Sequence, residues 1–511
     1  MPSTTTLLLW GLPLAYGVAT VLATLMPQHG WRIGRGAALF GMGSALAAGA
    51  LALALPGPGV DALGHVVAVL VGVLGWVIVR YSADYLSGEP GQPRYLQALL
   101  VTLAAVGVVV LSTHLALLAV AWTATSVGLH QLLTFYPERA AAQIVAHKKF
   151  LVSRLAEVCL LVALALIYHS VGSLWLADIG HALDAAAPSV ALQAAAVLIA
   201  LAVMLKSAQL PLHGWLIQVM EAPTPVSALL HAGIVNIGGL VVIRFAALFD
   251  AAPLAQALLI ASGSVTAVLA GLVMMTRISV KVRLAWSTCA QMGFMLLECG
   301  LGLYELALLH LVAHSLYKAH AFLSAGETVA TARERSLRPQ VAAQGAGALW
   351  RRLLALPLAL ALMAGFSAIA HRWLPAGALT PITVLLIGIG LAPLLWPTPG
   401  ATARNLLSAC GLGLLYLLWH AMFAGLLPGA SAPGMLATLW VAASFGLLFV
   451  TQAWLKSFPR GRLAAWLYPA AFGGFYLDER FTRLTFRLWP APRGAQSSTA
   501  ALAPTTAGAS L

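Results

Sequence analysis

The sequence has little charge, and very little of that charge is negative. Only 8% of its 511 residues are charged, with 15 Asp or Glu against 28 Lys or Arg. A soluble domain carries about 25% charged residues, so a surface that faces only water is excluded. The net charge of +13 does not indicate nucleic-acid binding, because the basic residues are dispersed over short breaks between apolar runs.

Cysteine is also scarce, and its placement excludes a disulfide framework. No two cysteines form a CxxC pair, and all four lie in apolar stretches: Cys159, Cys289, Cys299 and Cys410. We expect small core residues and no metal or other cofactor in this chain. No Lys or Arg precedes Arg32, so the first apolar run lacks a signal-peptide n-region and is interpreted as an uncleaved span.

Long apolar runs are what the chain has in abundance. A membrane-spanning helix needs roughly 20 mostly apolar residues, and runs of this kind recur from Thr5 to Thr451. Because backbone groups in lipid must bond internally, they indicate helices rather than a barrel. The sequence predicts an all-α integral membrane protein with about 15 (13–15) transmembrane helices, at 5–25, 36–55, 62–80, 95–111, 113–133, 150–171, 190–210, 223–249, 253–276, 281–300, 303–329, 348–371, 378–397, 405–427 and 433–455.

Lys and Arg predict the orientation, because cytoplasmic loops are enriched in them. Most of the 28 Lys and Arg residues fall in breaks on one predicted side of the membrane. Lys148 and Lys149 lie in one of these breaks. We expect a multi-pass protein of the bacterial inner membrane, with the N-terminus periplasmic and the C-terminus cytoplasmic.

Five regions are predicted along the chain. N-terminal helices (1–80) precede a translocating core (81–397) and C-terminal helices (398–462). The segment 463–493 mixes aromatic and charged residues and is predicted to be an interfacial or partner-binding helix. The Pro/Ala/Ser/Thr-rich end (494–511) is predicted to be a disordered tail.

Ionisable residues inside apolar runs cost roughly 2.5–3.5 kcal/mol each on insertion scales, so they indicate function. Lys206 ends an apolar run and begins LysSerAlaGlnLeuProLeuHisGlyTrp (206–215), where Pro211 must interrupt a helix. Pro223 and Pro225 predict a second break, and discontinuous helices are the usual setting of transporter ion sites. The alternative is a lysine that reaches the surface along its own stem.

A stripe of His310, His314 and Lys318 follows at i, i+4 and i+8, on one side of a helix. This spacing is typical of a proton wire, with His231 as a further relay point; the alternative is ordinary helix-packing hydrogen bonds.

Two further pairs of charged residues are predicted. Arg154 and Glu157 are i, i+3 neighbours and are expected to pair. Arg244 and Glu298 lie within or near the ends of apolar runs, where they either pair with each other or, as the preferred interpretation, extend to the membrane surface. As the counter-ion of Lys206 we expect Glu157 first and Glu221 second.

These motifs resemble the antiporter-like membrane subunits of respiratory complex I, most closely subunit L, and the related Mrp antiporters. The resemblance is carried by 206–233, 285–295 and HisLeuValAlaHisSerLeuTyrLysAlaHisAlaPheLeu (310–323). It implies a fold with inverted repeats and a hydrophilic axis in which Lys206, His231 and Lys318 take part. Arg154 and Glu157 match the family's Arg–Asp pair, with Glu for Asp.

Three departures from that family are visible. Thr123 stands where members place a glutamate, and Leu353 to Ala370 contains no ionisable residue where a second lysine is expected. The chain after Arg462 is also too short for the long helix that subunit L lays along the membrane.

The segments 124–139, 231–239 and 474–485 resemble a subgroup, the membrane subunits of inorganic-carbon accumulation (DAB) complexes. This resemblance implies a cytoplasmic partner of the DabA type, a zinc protein similar to β-carbonic anhydrases, which hydrates CO2 to bicarbonate. This chain would then be no enzyme but a subunit that couples H+ or Na+ flow to that reaction. The alternatives are a proton-pumping subunit of an NADH-quinone oxidoreductase-like or Mrp-type complex, and a structural anchor without conduction.

Overall fold

The computed structural model describes residues 4–54, 61–219, 222–329, 344–373, 379–397, 402–423, 427 and 434–489, and these are almost entirely helical. The one extended pairing in these ranges is an isolated antiparallel bridge between His114 and Trp175. The α-helices are α1 Thr4–Leu25, α2 Gly30–Ala54, α3 Ala62–Tyr85, α4 Gln92–Leu111, α5 Leu115–Leu133, α6 Ala140–Val171, α7 Leu176–Ala185, α8 Val190–Lys206, α9 Gly214–Ile217, α10 Thr224–Ala232, α11 Ile237–Arg244, α12 Ala246–Asp250, α13 Pro253–Met274, α14 Val280–Gly300, α15 Tyr304–Leu323, α16 Ala346–Leu353, α17 Ala355–Trp373, α18 Pro381–Leu391, α19 Thr402–Phe423, α20 Met435–Ser457, α21 Arg462–Phe472 and α22 Leu477–Leu488.

Eleven helical stretches in the described residues are long and apolar enough to cross a membrane, which confirms an all-α membrane fold. The other four predicted spans coincide with α8, α14, α15 and α18. Two of these are shorter apolar helices, Val190–Lys206 and Pro381–Leu395, and α14 and α15 carry ionisable residues. The count of fifteen therefore stays a prediction. The predicted tail 494–511 lies outside the described residues.

The first predicted helix break lies where the sequence placed it. Helix α8 ends at Lys206, and the chain turns through Pro211 before the single turn of α9. Pro223 and Pro225 do not break a helix; they start α10, where proline fits because the first N–H groups need no helical partner. The second discontinuity follows at Gly233, between α10 and a short 3-10 turn.

Helices α13 and α14 pack with their backbones in contact. A β-carbon built on Gly263 would lie 2.5 Å from the carbonyl oxygen of Gly293, and one on Gly293 would lie 2.6 Å from the carbonyl oxygen of Gly263. Only glycine permits this approach, because any side chain would meet backbone that cannot move aside. This contact holds α14 against α13. Helix α14 carries the hydrogen-bond acceptors of Lys318.

The variant Gly263→Ala is expected to lower the free energy of unfolding by about 1–3 kcal/mol, because the added methyl overpacks a backbone contact. Gly446→Ala on α20 is the control, since no atom lies within 4 Å of its built β-carbon. Thermal unfolding of the detergent-purified protein measures both. Equal melting temperatures for the two variants would contradict the packing described.

Candidate proton or cation path

Lys206 is buried at the break after α8, with its side chain 4% exposed. Its ammonium donates to the Trp122 carbonyl (3.3 Å) and the Ser126 hydroxyl (3.2 Å) on α5. It also lies 3.5 Å from Glu157 Oε1 on α6. Because α8 ends here, the cation sits among polar groups of two neighbouring helices rather than facing lipid.

Glu157 is the carboxylate in contact with Lys206. The same Oε1 accepts a hydrogen bond from Arg154 Nη2 at 2.9 Å, so one acid is shared by two cations. Glu157 therefore occupies the counter-ion position that we expected, and its pair with Arg154 is also present. Glu221, the second candidate, lies outside the described residues.

Lys148 and Lys149 correct the predicted boundary of this span. The sequence placed them in a break before a run at 150–171, but both are buried inside α6. Lys149 donates to Ser153 Oγ at 2.8 Å, and Lys149, Ser153 and Glu157 follow at i, i+4 and i+8 on one face. The same spacing rule that found the α15 stripe would have found this one if the run had been started ten residues earlier.

The stripe on α15 faces α10 and α14. His314 and Lys318 are buried, and His231 of α10 stacks on Phe322 with ring centroids 4.4 Å apart. His231, His314 and Lys318 are close enough to interact electrostatically. The three residues thus form one buried group. Sequence spacing predicted this only for His314 and Lys318, which lie on the same helix.

Both ring nitrogens of His231 and of His314 are buried without a hydrogen-bond partner among the described residues. Buried polar atoms normally form hydrogen bonds to protein or to ordered water. These four nitrogens therefore mark a polar region of the interior whose hydrogen-bonding capacity the described protein groups do not satisfy. Lys318 beside them donates only to neutral oxygens, the Leu284 carbonyl (3.1 Å) and Ser287 Oγ (2.5 Å).

His310 continues the stripe and contacts an acid that the sequence analysis assigned elsewhere. Its Nδ1 lies 2.8 Å from Glu298 Oε2 and its Nε2 lies 2.9 Å from Gln291 Oε1. Glu298 is buried, with its side chain 1% exposed, and it belongs to this group of polar residues.

The pairing of Arg244 with Glu298 is therefore wrong. Arg244 instead donates to Asp61 Oδ2 at 2.5 Å and to the Val110 carbonyl. Asp61 caps α3 by accepting from the Gly64 N–H, so this ion pair ties α11 to the helices that precede the core. Charge and position along the chain did not reveal which helix ends are neighbours.

A second acid–histidine pair follows at the same end of α15. Glu305 in its first turn lies 2.6 Å from His420 Nδ1 in the last turn of α19. Each side chain is about one-sixth exposed. Within the described ranges, His, Cys, Asp and Glu do not gather in groups of three that could hold a metal ion, and our expectation of no metal stays a prediction.

Comparison with known proteins identifies the family of this chain. The model of the NADH:quinone oxidoreductase/Mrp antiporter transmembrane family matches residues 112–369. Among solved structures, the Mrp complex of Dietzia sp. aligns with a TM-score of 0.57 at 24% identity, covering 97% of this chain and 60% of that one. An archaeal membrane-bound sulfane sulfur reductase aligns at 0.58 and 18% identity, covering 92% and 100%. These structures show the shared fold.

Two similar proteins indicate a subgroup within this family. A probable inorganic carbon transporter subunit DabB of Hydrogenovibrio crunogenus is 42% identical, over 84% of this chain and 83% of its own length. DabB2 of Halothiobacillus neapolitanus is 41% identical over 90% and 85%. The chain therefore belongs to the NADH:quinone oxidoreductase/Mrp antiporter membrane family, and within it to the inorganic carbon transporter subunits named DabB.

Replacing Glu157 by Gln is expected to lower the free energy of unfolding by about 3 kcal/mol, because Lys206 is left buried without its carboxylate. Glu157→Asp keeps the charge and is expected to lose far less. Glu89→Gln, at an exposed turn, is the control. Melting temperatures of the purified proteins measure these differences in stability. A Glu157→Gln variant as stable as Glu89→Gln would contradict the ion pair.

Proposed function

We propose that this membrane subunit conducts H+ (or Na+) and thereby drives CO2 hydration to bicarbonate by a cytoplasmic zinc subunit of the DabA type, similar to β-carbonic anhydrases. One observation carries the conduction step: ionisable groups from five helices lie in the interior as two groups, one around Lys206 and one around Lys318. The carbon substrate is supported by the names of the two relatives above, which are inorganic carbon transporter subunits. The zinc belongs to the partner, and catalysis takes place there.

The proposed route uses the groups described above in the order Lys149, Glu157, Lys206, His231, Lys318, His314, His310 and Glu298. Lys206 contacts Glu157 directly. Water completes the remaining steps, including those at the His231 and His314 nitrogens, which have no partner among the described residues. Each lysine or histidine accepts a proton from one side and releases it to the other, so charge moves while the side chains stay in place.

The energy that ion flow releases is large enough to drive CO2 hydration in one direction. Hydration converts CO2 and H2O to HCO3− and H+, and near equilibrium this step runs in both directions. One charge that crosses about 150 mV releases about 3.5 kcal/mol, which biases an equilibrium roughly 300-fold. Coupling one inward proton to each hydration would therefore make the reaction effectively one-way.

A second candidate is a subunit of an Mrp-type cation/proton antiporter or an NADH-quinone oxidoreductase-like complex. It is favoured by the likeness to the Mrp complex over 97% of this chain. A neighbouring gene for a zinc protein supports the carbon function, whereas neighbouring quinone-reductase or antiporter genes support the alternative.

Lys206→Ala and Lys318→Ala are each expected to abolish growth in air of a strain that needs this system, because each removes a buried site that the charge must occupy. Lys456→Ala, at an exposed lysine near the end of α20, is the matched control and should grow normally. Growth rates are compared at equal protein levels in the membrane. Normal growth of either path variant would rule out the proposed route.

Collapsing the ion gradient is expected to stop carbon accumulation at once. In whole cells, a protonophore should lower the internal inorganic carbon pool at least tenfold within seconds if H+ is the coupling ion, and a sodium ionophore should do so if it is Na+. The pool is measured by rapid filtration with labelled bicarbonate. Accumulation that survives both ionophores would exclude energy coupling.

A further inference from the structure

The C-terminal segment covers one end of the core and encloses a cavity of about 620 Å³. Its walls come from α6, from the α9 turn, from the residues around Arg277 and Trp286, and from α21 and α22. Glu479, whose side chain is 57% exposed, lines the same cavity, so the cavity opens at the protein surface.

A buried ion pair holds this segment in place. Lys148 of α6, with its side chain fully buried, donates to Asp478 Oδ2 at 2.9 Å, to Gln218 at 2.9 Å and to Thr482 at 2.6 Å. Gln218 also donates to Asp478 Oδ2 at 2.9 Å. Asp478 belongs to the LeuAspGluArg sequence at 477–480, which the conduction route above leaves without a role.

Two polar atoms at this cavity have no hydrogen-bond partner in the described part of the chain. They are Asp478 Oδ1 and His213 Nε2, both buried, and both residues line the cavity. His213 is fully buried. Gly214 lets Asp478 come this close, since a β-carbon there would overlap its carboxylate. A carboxylate and an imidazole with free positions on one cavity can exchange protons with water inside it.

The cavity also lies next to the Lys149 end of the path. Val145 lines it, and Lys149 is one helical turn further along α6. Lys149 contacts Ser153, lies close enough to Glu157 and Lys206 to interact with their charges, and packs over Trp215 beside Gly214.

We propose that this cavity is the water-filled mouth through which the ion leaves its path, on the face covered by the C-terminal segment, which we expect to be cytoplasmic. Asp478 and His213 are its proton-exchanging groups and accept protons from Lys149. This inference rests on the proposed conduction and adds the place where the inward-moving ion leaves. It also gives α21 and α22 a function: they shape the mouth, and Lys148 positions Asp478 over it.

Thiol labelling tests the water without any transport assay. Val145→Cys and Ala146→Cys are made in the full chain with Cys159 and Cys410 replaced by Ser. Both positions are buried and adjacent, but only Val145 lines the cavity. A charged, membrane-impermeant methanethiosulfonate is expected to modify Val145→Cys at least tenfold faster than Ala146→Cys. Equal rates would overturn a water-filled mouth.

Proton flux tests the role of the carboxylate. In proteoliposomes of the complex with its partner, Asp478→Asn is expected to reduce flux at least tenfold, and Glu479→Gln, the neighbouring exposed acid, less than twofold. Lys148→Met combined with Asp478→Asn removes the buried charge pair together and so repairs a purely structural loss. Flux restored in this double variant, or retained in Asp478→Asn, would overturn the proposed role of Asp478 at this mouth.

The two proposals fail in different ways. If Lys206→Ala conducts normally, the conduction route is wrong, and the Val145 labelling still reports whether the cavity is hydrated. If Lys206→Ala is inactive while Asp478→Asn conducts normally, conduction stands and this mouth is rejected.

Discussion

The structure depends on one constraint: a buried ammonium group must receive hydrogen-bond acceptors, or a carboxylate, from the helices that the fold brings to it. Lys206 meets this requirement because α8 stops at that residue and opens space for Glu157 of α6 and the polar atoms of α5. Breaking such a pair costs several kcal/mol, so the helix break and the ion pair stabilise one another.

Features repeated along one helix could be predicted from the sequence, whereas contacts between distant helices could not. The break at Lys206 and the stripe of His310, His314 and Lys318 follow from proline chemistry and the helical period. The partners Asp61 for Arg244 and Glu298 for His310 could not be found, because neither spacing nor composition says which helix ends adjoin. Lys149 was missed for a simpler reason, since the start of α6 was placed too late.

The two halves of the core differ in polarity. Helix α17 carries no ionisable residue over the range where the family resemblance implies a second lysine, and the polar groups instead reach Glu298 and the pair of Glu305 with His420. On the proposed function, the ion enters at this end of α15 and moves towards the face covered by the C-terminal segment.

Proton entry into proteoliposomes tests the central claim most directly. A membrane potential is imposed with potassium and valinomycin, and an internal dye reports pH for the full-length protein with its co-purified partner. We expect potential-driven acidification with the native chain and none with Lys206→Ala reconstituted at equal density. Rates for the native chain that match protein-free liposomes, with sodium uptake equally absent, would contradict conduction through this subunit.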